Sequence, residues 1–392
     1  MLRRVVIGLL IAIVFTAQCC LMVRYAPQVT SGYDFYPRWA GARALWLEGR
    51  SPYSDQVTTE IQTGFFGHPV EPGQDQICFA YPLYFALLLT PLAVLPYPLA
   101  YAIWTTALFY LCLVSGWLAM RLMRWRPPVW LSLITVVWSA LFYPNARSIL
   151  VGQPGLLVLL FTLLTMLALQ AGRDIRAGLW LALATVKPQM ALFPVLWMLW
   201  WGLWQRRWRF LLSCSVVMVL LFAASFIALP TWLLEFVRQV LAYPSYMHPV
   251  SVVGWLSRDL WPGLGRAGEL APTLLLLALL AWLWWDRRKH IGSSWLWTTA
   301  VTLTVANLVL PLTAATFYTT LLMPLVLLFH WLDQRAGRWG RVAILGSQVT
   351  LLIGLSAVFL ATISGSLPYE ADLIPLPLLL FVALLLTWRY AD

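Results

Sequence analysis

The sequence predicts an all-α polytopic membrane protein. Of its 392 residues, 61% are hydrophobic and 10% are charged, whereas about a quarter of the residues in a soluble domain are charged. The hydrophobic residues form long runs without the alternation of barrel strands, and only helices or closed barrels satisfy their backbone in lipid. Short basic clusters separate these runs, as in the cytoplasmic loops of membrane proteins. The net charge of +11 therefore indicates membrane orientation rather than nucleic-acid binding.

The apolar runs mark the predicted helices in chain order. The first, residues 5–23, has no small-residue cleavage motif after it, which predicts an uncleaved membrane span. The second, residues 79–96, contains Pro82, Pro91 and Pro96 and is a poor straight span. We interpret it as an interfacial or re-entrant helix. The remaining runs lie at 98–120, 129–145, 154–170, 177–186, 189–204, 210–229, 272–285, 294–311, 317–332, 342–363 and 373–388.

The basic clusters set the predicted topology. If 79–96 does not span, every cluster falls on one side, which gives about twelve transmembrane helices with both termini cytoplasmic. Most Asp and Glu residues then lie outside. We expect a multi-pass protein of a bacterial plasma membrane, with residues 1–392 forming a single integral membrane domain. Residues 24–98 become a long outer loop, which is long enough to be functional. The inner loops are short and contain no glycine-rich phosphate loop, so chemistry is expected on the outer face.

An amphipathic interfacial helix is predicted at residues 38–50 of this loop. Trp39 and Trp46 follow helical spacing, and Arg43 and Arg50 are expected on another face.

Asp34 is the leading catalytic candidate. It opens the polar outer loop just past the first span, within the aromatic stretch 32–39. A carboxylate at the edge of a bilayer can act as a general base. The alternatives are a helix N-cap or a solvated loop charge.

Lys187 is a candidate ligand for a lipid phosphate. It follows the apolar run 179–186 and precedes Pro188, so it is predicted at the tip of a helical hairpin in the outer half of the membrane. An embedded lysine needs a partner, and a phosphate would serve. The alternative is that its ammonium group snorkels to the interface.

Three polar residues flank the turn between the third and fourth predicted spans. Arg147 can pair with phosphate oxygens, and Asn145 and Gln153 can bind phosphate or sugar hydroxyls. The alternative is turn chemistry together with ordinary interface polarity.

Further candidates come from other loops. His248 could share a proton or touch phosphate, although a loop histidine is more often structural or solvated. Tyr81 and Tyr318 could contact a sugar or anchor the chain at the interface. No acidic pair has the close spacing that predicts a metal site, and a divalent metal is left open.

The residues together resemble glycosyltransferase family eighty-seven, the polyprenyl-phosphate-mannose-dependent α-mannosyltransferases of the C-type membrane class. The resemblance rests on the order and spacing of Tyr33–Tyr36, residues 42–53, residues 79–96, Gly152-Gln153 and residues 186–189. It covers most of residues 1–210, whereas residues 211–392 are more variable.

The resemblance implies a C-type glycosyltransferase fold whose catalytic aspartate lies in the outer loop, matching Asp34. It implies donor phosphate binding by Lys187, to which we add Arg147 and Gln153. The sugar or acceptor would contact Arg38, Asn145, Tyr81, His248 and Tyr318.

The predicted activity is inverting transfer of a hexose, mannose in the first instance, from a polyprenyl-phosphate-sugar to a lipid or glycolipid hydroxyl on the outer face. No firm cofactor and no nucleic-acid partner are expected. The rival class is a polyprenyl-linked lipid or sugar transporter or flippase. The long outer loop disfavours it, because transporters usually bind substrate at mid-membrane.

Overall fold

The computed structural model describes residues 2–25, 33–71, 76–242, 251–311, 314–367 and 374–388. Within these ranges the regular structure is helical and contains no β-strand, which confirms the all-α class. Two 3₁₀ segments, Pro262–Leu264 and Ala315–Leu321, precede α15 and α17. The helices are α1 (Leu2–Tyr25), α2 (Tyr36–Glu48), α3 (Asp55–Phe66), α4 (Leu83–Leu88), α5 (Thr90–Ala93), α6 (Tyr97–Leu122), α7 (Val129–Leu141), α8 (Tyr143–Val151), α9 (Gly155–Gln170), α10 (Asp174–Ala184), α11 (Pro188–Trp204), α12 (Trp208–Ala228), α13 (Trp232–Ala242), α14 (Val252–Leu260), α15 (Gly265–Arg287), α16 (Ser293–Val309), α17 (Leu322–Ile363) and α18 (Pro375–Leu386).

Several described helices could cross a membrane. By length and composition four qualify, Tyr97–Leu122, Trp208–Ala228, Ala267–Arg287 and Ala315–Ile363, and α7 with α8 makes a fifth if this pair, bent by 49°, is one span. The prediction of about twelve spans stays a prediction, because α9 has 16 residues and α10 has 11, whereas a spanning helix needs about 20. Helix α17 is broken at Gly337 (φ 50°), between the predicted runs 317–332 and 342–363.

The chain divides into two compact units. The first unit comprises residues 1–111, 148–153 and 221–247. The second unit comprises residues 112–147, 154–220 and 248–392.

In the first unit, residues 79–96 form two short helices, α4 and α5, rather than the one interfacial or re-entrant helix that the sequence predicts. Helix α2 packs on both through tryptophan side chains. The Trp39 indole N–H lies 3.1 Å from the carbonyl oxygen of Leu92, whose usual helical partner would be residue 96, a proline without an N–H. The Trp46 indole N–H donates to the carbonyl of Ala86 at 3.2 Å. The Leu92 carbonyl also accepts from the N–H of Leu95 at 3.1 Å, so these side chains add to the hydrogen bonding of carbonyls at the ends of short helices.

The helix predicted at residues 38–50 forms as α2, which begins and ends two residues earlier. The prediction that Arg43 and Arg50 lie on a face apart from the tryptophans is wrong. The Arg43 guanidinium donates to the carbonyl of Ala93 at 3.1 Å and lies 5.6 Å from the Trp39 ring, so it belongs to the packed side. Arg50 lies beyond the helix end and binds Glu60 with two hydrogen bonds of 2.7 and 2.8 Å. Ala93 is buried at the end of α5, and the hydrogen bond to its carbonyl stabilises Arg43 on the packed side, an effect that amphipathic spacing does not describe.

The centre of the second unit is helix α16. Every residue from Ser294 to Val309 is buried, although the helix carries several threonines. Thr298, Thr299 and Thr304 each donate to the carbonyl four residues earlier, at 2.9 Å. These hydroxyls therefore need no partner outside the helix, which allows α16 to be surrounded on all sides.

Candidate functional site

The turn between α8 and α9 holds the backbone of Asp34 in the first unit. The carbonyl of Val151 accepts hydrogen bonds from the N–H groups of Asp34 (3.2 Å) and Phe35 (3.1 Å). The next residue, Gly152, has φ of 73°, and its carbonyl accepts from the Trp104 indole at 2.8 Å. A Cβ on Gly152 would lie 2.5 Å from the Cβ of Phe35. The close approach therefore requires glycine, both for its backbone angle and for space.

Asp34 begins a network of four side chains, all of which are candidate site residues from the sequence. Its Oδ1 lies 3.4 Å from Nη2 of Arg38, one helical turn further on. The Arg38 guanidinium lies over the Tyr81 ring, 4.6 Å from its centroid. The Tyr81 hydroxyl donates to Oε1 of Gln153 at 2.8 Å. The first unit thus brings together residues from the first loop, the 79–96 region and the 148–153 turn.

The network combines buried and accessible groups. Tyr81 and Gln153 are 3% and 4% exposed, whereas the side chains of Arg38 and Asp34 are 13% and 22% exposed. Burial raises the pKa of Tyr81 to about 12, against the opposing effect of the Arg38 charge. Burial lowers the pKa of Arg38, but Tyr81 and Asp34 outweigh it and the pKa lies above its usual range. At neutral pH the network holds a protonated phenol and a guanidinium cation, with the most accessible position at Asp34.

Other residues that support the network were not singled out from the sequence. The Tyr53 hydroxyl donates to the carbonyl of Tyr81 at 2.6 Å. Ser51 donates to the carboxylate of Glu235 on α13, so α13 packs on the first loop. The Ser-Pro-Tyr sequence ending at Tyr53 belongs to the family resemblance and could have identified that residue. We find no local pattern that would have identified Glu235.

Lys187 is buried in the second unit. It is 1% exposed and precedes α11, which begins at Pro188. Its ammonium nitrogen lies 3.9 Å from the centroid of the Phe317 ring, within the range of a cation–π interaction. The neighbouring Tyr318 is 1% exposed. The break between α10 and α11 falls at residues 185–187, two residues before the predicted hairpin tip at 187–189, because Pro188 starts α11. The Lys187 side chain is held inside the protein rather than extended to the surface.

Arg147 and Asn145 lie on α8, also in the second unit. Arg147 donates to the Tyr143 hydroxyl at 2.8 Å, and its guanidinium lies 4.7 Å from the centroid of the Phe359 ring. It remains half-buried. Asn145 is fully buried, and its amide donates to the carbonyl of Ser139 at 2.6 Å. That contact stabilises the bend between α7 and α8, which favours the structural alternative for Asn145.

His248 lies outside the described residues. The described part of the chain contains no group of three or more His, Cys, Asp or Glu side chains arranged to hold a metal ion.

The helices and the polar network at the first loop define a helical membrane protein with a candidate catalytic carboxylate. Comparison with known protein families matches residues 79–311 to glycosyltransferase family 87. The chain belongs to this family and is therefore a membrane glycosyltransferase, which confirms the predicted resemblance. The match includes Tyr81, Gln153 and Lys187 and extends beyond residue 210, whereas Asp34 and Arg38 precede it. No curated protein and no solved structure matches the chain.

Proposed function

We propose that this glycosyltransferase transfers a hexose, mannose in the first instance, from a polyprenyl-phosphate-sugar to a hydroxyl group of a lipid or glycolipid on the outer membrane face. The observation that carries the proposal is the network of Asp34, Arg38, Tyr81 and Gln153. It combines a carboxylate, a cation and an amide on the first loop and the turn that holds it. A network that served only stability would not need an accessible carboxylate at its end.

Asp34 is proposed as the general base. Its Oδ1 faces Arg38, and its Oδ2 makes no hydrogen bond among the described residues, so Oδ2 can accept a proton. In the transfer step, the acceptor oxygen bonds to the anomeric carbon and its proton passes to Asp34. The bond from that carbon to the phosphate oxygen breaks, and the polyprenyl phosphate leaves with the electron pair. Direct displacement by a single nucleophile inverts the anomeric centre.

The leaving phosphate gains negative charge as this bond breaks. Fixed cations and N–H donors stabilise that charge more in the transition state than in the ground state. Lys187 and Arg147 are the cations proposed for this role. Gln153 uses Oε1 to accept from Tyr81, so its amide N–H groups are free to donate to a phosphate oxygen or a sugar hydroxyl.

The test measures transfer of radiolabelled sugar from polyprenyl-phospho-mannose to a membrane lipid extract. Wild type and Asp34→Asn are compared at equal amounts of folded protein. The matched control is Asp55→Asn, an exposed carboxylate in the first turn of α3 in the same loop. Loss of a general base lowers the rate by about 10²–10⁴-fold. We expect that loss for Asp34→Asn and a wild-type rate for Asp55→Asn.

Three other outcomes would contradict parts of the proposal. Equal transfer by wild type and Asp34→Asn would remove Asp34 as the base and leave the donor class intact. Equal loss in both variants would indicate a general effect of loop charge. No transfer by wild type would direct the search to another sugar donor.

A further inference from the structure

The second unit contains a cavity of about 500 Å³ at the helix ends remote from Lys187. It lies where the C-terminal ends of α6, α9 and α11 meet the N-terminal end of α16, and its volume is in the range of ligand sites. Trp201 on α11 lines it, 14 residues beyond Lys187. At 1.5 Å per helical residue that separation is about 20 Å. The cavity is therefore distinct from the position proposed for the donor phosphate.

The charge of the cavity lining is positive. Arg124 and Arg207 contribute to the lining, and no aspartate or glutamate is among the described residues that form it. The charge of Arg207 is partly neutralised, because its guanidinium donates to the carbonyl of Leu169 at 2.8 Å and lies 3.3 Å from the carboxylate of Asp174. The Arg124 side chain is exposed and makes no hydrogen bond or ion pair within the described ranges. An anion entering the cavity would meet at least one cation that is not already neutralised.

The remaining wall is rich in tryptophan. The rings of Trp201 and Trp295 lie 5.0 Å apart, and Trp297 and Trp331 also line the space. Tryptophan concentrates at the level of lipid head groups, because its ring is apolar and its N–H is polar. Cations together with such rings suit an amphiphile with an anionic head better than a freely soluble ion.

We infer that this cavity binds the head group of an anionic phospholipid. The charge pattern of the sequence predicts that this end of the helices is cytoplasmic, where anionic lipids concentrate, and basic pockets between membrane helices on that side bind such head groups. The inference uses no residue of the proposed transfer reaction, so either can fail without the other.

The binding test uses the full chain purified in a neutral detergent, without sugar donor. Phosphatidylglycerol and phosphatidylcholine are titrated separately, and bound lipid is counted by native mass spectrometry. Wild type should bind phosphatidylglycerol at least about fivefold more tightly than phosphatidylcholine, the factor expected when one arginine contributes to binding an anionic lipid. Equal affinity for the two lipids would overturn the inference without any variant.

Arg124→Gln should weaken phosphatidylglycerol binding by about fivefold. The matched control is Arg126→Gln, since Arg126 is also exposed but does not line the cavity, and its affinity should equal that of wild type. Equal losses in both variants would indicate general surface charge and overturn the site. A third arm adds inorganic phosphate alone. Displacement of the lipid by phosphate at comparable concentration would indicate a soluble anion and contradict the lipid assignment.

Discussion

Replacing Tyr81 by phenylalanine tests whether the polar network positions Gln153 for transfer. The change removes one hydroxyl and keeps the aromatic ring beside Arg38. Both partners of the lost hydrogen bond are almost fully buried, so water does not replace the 2.8 Å contact. A buried acceptor left without a donor costs about 1–3 kcal/mol. If this cost falls on the geometry required for transfer, kcat/KM for the donor decreases by about 5- to 150-fold.

The assay combines donor kinetics with thermal unfolding in three variants. Tyr81→Phe is compared with Gln153→Ala and with the double variant. Once Gln153 is absent, loss of the Tyr81 hydroxyl leaves no amide oxygen unsatisfied and removes only the hydroxyl's contact with Arg38. The effects of the two changes should therefore be less than additive in the double variant. Tyr110→Phe is the control, because the described contacts of Tyr110 are ring contacts with Phe15 and Phe109.

Two results would refute this reasoning. Wild-type kinetics in Tyr81→Phe would mean that Tyr81 acts only as an interfacial anchor, a role that phenylalanine also fills. Strictly additive effects in the double variant would mean that the two residues act independently.

Three more predictions follow from contacts and charges. Gly152→Ala should lower Tm more than Gly172→Ala, since both have positive φ but only Gly152 meets another atom, at 2.5 Å from Phe35; equal losses would contradict the close approach. Lys187→Met should reduce kcat/KM for the donor by about tenfold or more and leave the acceptor KM unchanged; unchanged donor kinetics would remove its phosphate role. Because burial raises the pKa of Tyr81 to about 12, the unfolded chain loses this proton first above about pH 10. The free energy of unfolding should therefore fall from pH 10 to 12 more steeply in wild type than in Tyr81→Phe, and equal slopes would argue against a buried phenol.

The helix positions could largely be predicted from the sequence, because apolar run length and proline placement act locally. Residues 79–96 illustrate this, since their prolines predict that the run is not one straight span, although its division into α4 and α5 was not predicted. The number of spans could not be established in the same way. Whether the 16 residues of α9 cross a membrane depends on their surroundings, which hydropathy does not describe.

Only part of the candidate site could be predicted from the spacing of residues in the sequence. Asp34 and Arg38 are one helical turn apart, so their pairing follows from the sequence once a helix is assumed. Tyr81 and Gln153 are 72 positions apart, and no periodicity links them. Asn145 shows that residues close in sequence can also differ in their surroundings. Its neighbour Arg147 is half-buried, whereas the Asn145 amide is turned inward to the end of α7, a difference that residue type does not reveal.

The packing of α2 against α4 and α5 has a consequence for how the protein is made. The tryptophan donors Trp39 and Trp46 precede their carbonyl acceptors by 53 and 40 residues. At about 5–20 residues per second, the ribosome completes the donors about 2–10 s before the acceptors. The later segment can therefore dock on a partner that already exists and need not be inserted as an independent unit. For the same reason, a chimaera that exchanges residues 79–96 without residues 36–48 would separate these donors from the carbonyls they satisfy.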